Sequence, residues 1–489
     1  MTDLGRRAAD LLERFDDHDS LYFEGTWHRS HALAGRARRA ARGLVELGVR
    51  PGDRVVVCMA NCPEVGLAYA ALWRAGAVPT PVLFLLTEDE LRHVVTDSGA
   101  VAAITTPEFL PKVQAAAQGL PVVVVGEGGT ASWADLETAE ELPLVDRADD
   151  DLAALLYTGG TTGRSKGVAL RHAGLDAAGA AAYDVAYREG RTTTLLPLPL
   201  AHAYGLMVSV AGLHAREPGR SVLQRWFDPV GFLDLVEQLD VHSAACIPAM
   251  LQSLLAQPLE QRSLSTWERV SSGGAPLARE VAEELERRVP GLEVREGYGC
   301  TETSALISTQ PQDERRLGSV GKPVPGVEVR IDGPPGDDGE ICVRGPLVMA
   351  GYWQDQEATD AAIRDGWFHT GDVGRLDEDG FLYVVDRIKD LVIRNGFNVY
   401  PRDVEDVLLA HPEVTAAAVV GVPDARVGEE VVAVVSLAPG ATVTPEELIA
   451  FSKERISAAK YPRRIEVVDA VPLTSVFKTD RKAVRRLLA

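Results

Sequence analysis

Residues 157–167 read Tyr157-Thr-Gly-Gly-Thr-Thr-Gly-Arg-Ser-Lys-Gly167 and follow an apolar run, Leu152-Ala-Ala-Leu-Leu156. The run has the length and texture of a buried strand. Four glycines, hydroxyl side chains and two cations, Arg164 and Lys166, then crowd into eleven residues. Glycine lets backbone N–H groups turn toward an anion, threonine hydroxyls add donors, and the cations add charge. A strand feeding such a loop places it at a carboxyl end, where α/β sheets hold ligands. The expected fold is α/β and the expected ligand carries phosphate; a Gly/Thr-rich surface turn is the plain alternative.

A nucleotide-binding loop of the Walker type is excluded by spacing. That motif ends Gly-Lys-Ser/Thr, its hydroxyl reaching Mg2+. Here Lys166 follows Ser165 and precedes Gly167.

At 489 residues the chain exceeds one core, so two or more domains are expected. A net charge of −21 argues against nucleic-acid partners and anionic membranes, so an anionic substrate must be met by local cations. Five scattered cysteines are expected to be reduced thiols in the cytoplasm, and Cys58 and Cys62 lack a second pair for zinc. The first seventeen residues read as a charged surface helix rather than a signal peptide. Between Arg191 and Arg216 no residue is charged, but Pro197 and Pro199 interrupt the stretch. It reads as a buried strand and loop lining a pocket, with no integral membrane association.

Outward from the loop, the first third repeats a strand–helix rhythm. Strands are expected at 54–59, 101–104 and 121–125, and Asn61-Cys-Pro63 opens a helix that Gly76 ends. Thr87-Glu-Asp-Glu90 is a capping box. An amphipathic helix over 276–288 lies between Ser271-Ser-Gly-Gly-Ala-Pro276 and Glu296-Gly-Tyr-Gly-Cys-Thr-Glu302. Residues 320–390 turn Gly- and Asp-rich with short strands, indicating an antiparallel or barrel-like portion. The last hundred residues form a small α+β unit: a helix from Pro401, strands at 416–421 and 430–437, and a capping box at Thr444-Pro-Glu-Glu447. The boundary is placed between 388 and 389.

Taken singly, the remaining motifs are weak. Glu302 could hold Mg2+ beside phosphate or be an exposed turn residue. Asp372, ending Gly366-Trp-Phe-His-Thr-Gly-Asp372, could accept ribose hydroxyls or close a turn. Asp386-Arg-Ile-Lys-Asp390 is a solvated charge run or a hinge. Lys478, in Lys478-Thr-Asp-Arg-Lys482, is part of a basic tail or a point charge for a distant site. Leu317-Gly-Ser-Val-Gly321 misses the hydrolase nucleophile elbow, and Asp97-Ser98 lacks the separate carrier domain of a phosphopantetheine site.

In order, however, YTGGTTGRSKG, YGCTET, GWFHTGD, DRIKD, GFNVYP and a terminal lysine resemble the adenylate-forming superfamily of acyl-CoA synthetases, luciferases and peptide-synthetase adenylation domains. Within it, the Gly159-Gly160 form of the loop, DRIKDL and GFNVYP look most like those of fatty acyl-CoA synthetases. The resemblance implies a large N-terminal domain, 1–388, of helix-covered sheets and a small mobile C-terminal domain, 389–489. It implies that ATP and Mg2+ activate a carboxylic acid as acyl-adenylate, and that coenzyme A then displaces AMP. A carrier-protein thiol is the alternative acceptor. A non-catalytic nucleotide-binding interaction protein is the alternative of another class, and a monomer or homodimer is expected.

The same resemblance assigns roles. Thr158, Gly159, Gly160, Thr161, Thr162, Gly163 and Lys166 would close over the β- and γ-phosphates, with Thr161 among the catalytic residues. Glu302 would hold Mg2+ and Thr301 contact the α-phosphate. Gly274, Ala275, Glu296, Gly297 and Tyr298 would frame adenine, and Asp372 and Arg387 bind ribose. Lys478 would bridge the acyl carboxylate and α-phosphate. Lys389 would be the hinge, Gly396 and Phe397 the coenzyme A tunnel, and His202, Tyr204 and Gly205 the acyl pocket. Two positions depart from the pattern: Phe477 stands where Gly usually precedes the lysine, and Ser165 replaces Pro. Phe does not readily take the positive φ open to Gly, so the lysine loop differs in shape.

Overall fold

The chain from Leu152 runs as expected into a strand, Leu152–Thr158, but the next element is a second strand, Lys166–Arg171. The two are antiparallel, with Tyr157 opposite Gly167 and Thr158 opposite Lys166. Gly351–Tyr352 pairs antiparallel with the far edge of Lys166–Arg171. The computed structural model describes residues 3–138, 140–158, 164–334, 338–424, 426–474 and 479–488. The loop follows the carboxyl end of a strand, as expected, and that strand and the one after the loop belong to a three-stranded antiparallel sheet. Glycine at 167 lets the sheet close: a Cβ there would lie 3.0 Å from Trp353 Cβ and 3.1 Å from Leu155 Cδ1.

The strand–helix rhythm of the first third is a parallel sheet in the order Val78–Pro81, Arg54–Cys58, Ala102–Thr105, Val122–Val124, Ala131–Ser132. Thr87 caps helix Glu88–Ser98 in the expected box, and Gly99, at φ 60°, ends it. Helix Pro63–Arg74 is capped by Cys62, so Asn61 is left for other work. A second sheet of nine strands has a parallel centre, Glu293–Tyr298, Arg269–Ser272, Ser243–Cys246, Thr193–Leu196 and Arg220–Leu223.

The uncharged stretch departs from expectation. After strand Thr193–Leu196 and a proline-bearing loop it forms a ten-residue helix, Ala203–Gly212. Among the described residues no helix is long and apolar enough to cross a membrane. The N-terminal helix Leu4–Arg14 is also more than a surface feature, because Leu4 and its cap Asp3 are buried.

Two compact units are formed, Met1–Glu328 with Val343–Phe368, and Val329–Cys342 with His369–Ala489. Residues 369–388 thus group with the C-terminal unit, and 388/389 falls at a 3-10 turn, Ile388–Asp390. Strands Trp367–Leu376 and Leu382–Arg387 form the antiparallel pairing expected for 320–390. Beyond them lies a sheet ordered Phe397–Val399, Val392–Arg394, Gly428–Leu437, Val414–Asp424, with Arg464–Val467 parallel to Gly428–Leu437. Alternation along Gly428–Leu437 builds two cores. Val431, Ala433 and Val435 pack with Val404, Leu408 and Leu448, while Val432 and Val434 pack with Val484 and Leu488.

His172 starts helix His172–Ala186 and is buried, its Nδ1 accepting the Leu4 N–H at 3.2 Å. Burial holds its imidazole below the ordinary 6.5. The folded protein then binds this proton less well than the unfolded chain, so stability is complete above about pH 6.5 and falls as pH drops below it. His172→Gln is expected to show a smaller drop in Tm between pH 7.5 and 5.5 than the wild type. Equal drops in thermal scans would show that this histidine does not couple pH to folding.

Candidate active site

Strands Arg269–Ser272 and Glu293–Tyr298 lie side by side, Ser272 opposite Glu296, and both run into glycines. Gly274 has φ 80°, a conformation L side chains rarely adopt. A Cβ on Gly273 would lie 3.4 Å from Gly297 O and 3.5 Å from the Tyr204 ring, so backbones and ring converge at these strand ends. The Tyr204 hydroxyl donates to Ser271 O at 3.1 Å, and burial pushes its phenol up. Gly274, Ala275, Glu296, Gly297 and Tyr298 therefore gather at the carboxyl edge of a parallel sheet, where ligands bind in α/β folds.

Glu302 sits in the 3-10 turn Thr301–Thr303. The next residues beyond that turn, Ser304 (φ 52°) and Ala305 (φ 69°), are both left-handed and neither is glycine. Each costs about 1–3 kcal/mol and persists only when its surroundings over-determine it. They do so here: Ala305 N–H donates to Cys300 O at 2.9 Å, and the Ser304 hydroxyl to Leu347 O at 2.9 Å. Met349 N–H donates to Glu302 O at 2.8 Å. Gly299 is required, since its Cβ would meet Ala305 O at 2.4 Å.

The Tyr352 hydroxyl donates to Glu302 Oε1 at 3.0 Å, and Lys166 Nζ stands 5.0 Å from the Tyr352 ring centroid. Lys166 Nζ is also 3.7 Å from Asp355 Oδ2. Burial, then the Glu302 charge, pushes the Tyr352 phenol up, keeping it a donor. Tyr352 thus links the expected phosphate lysine to the expected metal carboxylate. Its sequence signal, a lone Gly-Tyr-Trp at 351–353, is too weak to single it out. Glu302 fits Mg2+, which takes one or two carboxylates and leaves its other positions to water and phosphate oxygens.

Both ends of the expected phosphate loop are tied to helix Glu88–Ser98. The Tyr157 hydroxyl donates to Asp97 Oδ2 at 2.6 Å, and His93 Nε2 lies 2.9 Å from Ser165 O. Asp97 is therefore a loop anchor, and burial followed by its hydrogen bond pushes the Tyr157 phenol up. Gly159, Gly160, Thr161, Thr162, Gly163, Phe477 and Lys478 lie outside the described residues.

His202 caps helix Ala203–Gly212, its Nδ1 accepting the Tyr204 N–H at 3.2 Å. When neutral, its proton is therefore on Nε2. Gly205 admits no larger residue, because a Cβ would lie 2.2 Å from Pro199 O. The loop before His202 is held by Asn61, which the sequence pattern marks only as a helix opener. Buried Asn61 donates to Leu198 O (2.7 Å) and Gln224 O (3.1 Å) and accepts from Leu200 N–H (2.9 Å). Tyr69 donates its hydroxyl to Leu200 O at 3.0 Å.

In the second unit Asp372 and Arg387 are cross-strand partners, joined Nε–Oδ1 at 2.9 Å, with Asp372 buried. The Thr370 hydroxyl donates to Ile341 O at 2.8 Å and accepts from Asp372 N–H at 3.0 Å. Lys389 is exposed in turn Ile388–Asp390. Asp386 beside it is buried, which pushes its carboxyl up although it accepts from Arg387 and Arg402 N–H. Asp390 lies 3.6 Å from Arg481, which also pairs with Glu405 at 2.5 Å. Asn395 (φ 52°) and Gly396 (φ 80°) form the two-residue turn between paired Arg394 and Phe397, leaving Phe397 62% exposed.

The chain matches the AMP-binding enzyme family over residues 7–353 and the AMP-binding enzyme C-terminal domain over 403–478. It therefore belongs to this family of adenylate-forming enzymes, and sits among its AMP-forming acid–CoA ligases, which use ATP, Mg2+ and coenzyme A. It is 39% identical to a feruloyl-CoA synthase of an Amycolatopsis species, over 93% of this chain and 92% of that one. It is 34% identical to a long-chain-fatty-acid–CoA ligase of Yersinia pestis, over 98% and 94% of the two chains. Among solved structures, ATP-bound MatB from Rhodopseudomonas palustris superposes with a TM-score of 0.91 at 34% identity, covering 99% of this chain and 98% of that one.

Asn61→Ala would strip partners from three buried backbone groups, each costing about 1–3 kcal/mol. A loss of at least about 2 kcal/mol in urea unfolding is expected. A change below about 0.5 kcal/mol would show that the loop before His202 does not depend on this clamp.

Proposed function

We propose that the enzyme activates an apolar carboxylic acid, a fatty acid first among them, and delivers the acyl group to coenzyme A. The observation that carries this reading is the Lys166–Tyr352–Glu302 arrangement, in which one tyrosine meets a cation at its ring and a metal-type carboxylate at its hydroxyl. The uncharged stretch between Arg191 and Arg216, in which His202, Tyr204 and Gly205 lie, supports an apolar acyl group. An aryl acid of the cinnamate type is the second reading, favoured by the likeness to the feruloyl-CoA synthase.

A carboxylate is a poor acyl donor, and adenylation supplies a leaving group. A carboxylate oxygen of the acid attacks the α-phosphorus of ATP and pyrophosphate departs. Thr158, Gly159, Gly160, Thr161, Thr162, Gly163 and Lys166 would hold the departing phosphates, and Thr301 would contact the α-phosphate. Mg2+ supplies charge neutralisation on phosphate oxygens when bound at Glu302. Lys478 would hold the acid carboxylate against the α-phosphate, a preorganised charge placed where the transition state needs it. Gly274, Ala275, Glu296, Gly297 and Tyr298 would frame adenine, while Asp372 and Arg387 take the ribose. The coenzyme A thiolate then attacks the acyl carbon and AMP leaves. Lys389 would be the hinge between 1–388 and 389–489, bringing Gly396 and Phe397 to the thiol.

Purified protein with ATP, Mg2+, free coenzyme A and a panel of fatty and aryl acids is expected to form acyl-CoA, AMP and pyrophosphate. Acid-dependent ATP–pyrophosphate exchange with no acyl-CoA from any acid would sink coenzyme A as acceptor and favour a carrier-protein thiol. Lys478→Ala is expected to slow adenylate formation by about 100-fold or more while sparing thioester formation from supplied acyl-adenylate. Equal low exchange in wild type and variant would favour a non-catalytic nucleotide-binding protein. Tyr352→Phe is expected to raise the Mg2+ concentration for half-maximal exchange; an unchanged requirement would separate Tyr352 from the metal carboxylate.

A further inference from the structure

Four donor side chains meet in the second unit on the face of an antiparallel region that none of the assigned roles uses. Glu340 and Cys342 are two apart on strand Gly339–Arg344, hence on one face. Asp332 ends the neighbouring strand Glu328–Asp332, and His369 lies on Trp367–Leu376 at the other side. One ligand atom from each residue lies within 4.8 Å of all the others. His369 Nδ1 is 2.7 Å from Glu340 Oε2 and 3.3 Å from Cys342 Sγ. Cys342 is buried and the His369 side chain is 8% exposed, while Asp332 opens to solvent.

From this geometry we infer a Zn2+ site formed by Asp332, Glu340, Cys342 and His369. A thiolate and an imidazole nitrogen select a borderline-soft cation over Mg2+ or Ca2+, and four donors match tetrahedral zinc. Two nitrogen or oxygen ligands at about 2.0–2.1 Å from tetrahedral zinc stand about 3.3 Å apart, and a sulfur–nitrogen pair about 3.5 Å. The His369–Glu340 hydrogen bond therefore opens by roughly half an ångström and the Cys342–His369 contact by less. No electrons move. Zn2+ displaces one proton, that of the Cys342 thiol, and binds His369 as a neutral imidazole through Nδ1, the proton that Nδ1 donates to the Glu340 carboxylate moving to Nε2.

Glu340 has a second attachment: its Oε1 accepts the Gly371 N–H at 3.1 Å. Gly371 precedes Asp372, so one carboxylate currently orients both His369 and the backbone that presents Asp372. Turning Glu340 onto a metal loosens that grip, and zinc occupancy weakens nucleotide binding. This coupling, unlike the metal site, rests on the reading of Asp372 as the ribose ligand.

The full chain, freed of metal by chelator, is titrated with Co2+. The expected result is one equivalent bound, with a near-ultraviolet thiolate-to-cobalt charge-transfer band and visible d–d bands of tetrahedral strength, both bleached by Zn2+. Cys342→Ser removes the charge-transfer band. Because Cys342 is buried, exposed Asp332→Asn serves as a second variant, expected to keep the fold and bind Co2+ about tenfold more weakly. No charge-transfer band, a band that persists in Cys342→Ser, or undiminished binding by Asp332→Asn would overturn the site. Calorimetric ATP binding in the presence of Mg2+ is expected to weaken several-fold when wild type is loaded with zinc. Unchanged ATP affinity alongside the cobalt spectrum overturns the coupling. ATP binding unaffected by Asp372→Ala in zinc-free protein would instead sink the ribose reading and leave the metal site standing.

Discussion

The antiparallel pairing of Leu152–Thr158 with Lys166–Arg171 is the constraint on which the first unit's site depends. Its ladder fixes Thr158 opposite Lys166, so the loop proposed to hold phosphate starts and finishes at neighbouring points. The third strand, Gly351–Tyr352, joins the same ladder and delivers Tyr352 to Lys166 and Glu302 together. Register in such a ladder is an all-or-none property, because a slip of one residue turns every side chain to the other face. The cation and the tyrosine are thus placed by the ladder, while the carboxylate is placed by its own 3-10 turn.

Strain is stored where Glu302 is held. Two consecutive left-handed residues without glycine lie just beyond it, and hydrogen bonds from residues 304, 305 and 349 secure the turn. The Asn61 clamp does for the loop before His202 what those bonds do for Glu302: buried backbone groups are satisfied by one side chain that imitates a neighbouring strand. In the second unit the burden falls on a carboxylate, Glu340, which holds His369 with one oxygen and Gly371 with the other. Rigid placement of functional side chains by such supporting contacts is what electrostatic catalysis requires.

Much of this architecture is legible in the sequence because it stems from local chemistry. The capping boxes at Thr87 and Thr444, the apolar run within Gly428–Leu437 and the strand segments of the first third are set by neighbours a few residues apart. Asp372 and Arg387, fifteen positions apart, are paired by the motif order and are cross-strand neighbours in the fold. The contacts that escape such reading have one character in common. Asn61 acts on residues near 200, Asp97 on Tyr157, and Tyr352 on Glu302 and Lys166, and in each case the partner lies dozens of positions away or more. Asn61 resembles a helix opener because Pro63 is close behind it, and Ala203–Gly212 resembles loop because two prolines precede it.

The sequence by itself determined the kind of protein: ordered motifs rich in glycine, hydroxyls, carboxylates and lysine carry an adenylating chemistry, and periodicity sets most helices and strands. Only the tertiary structure decided that Leu152–Thr158 and Lys166–Arg171 pair as antiparallel neighbours and that Tyr352 meets both Lys166 and Glu302. It also brought Asp332, Glu340, Cys342 and His369 together from three strands. The reason is physical. Propensity, capping and alternation act over a turn or two of chain, whereas a strand's partner and a side chain's distant acceptor are chosen by which pairing buries the most surface and leaves the fewest polar groups unsatisfied.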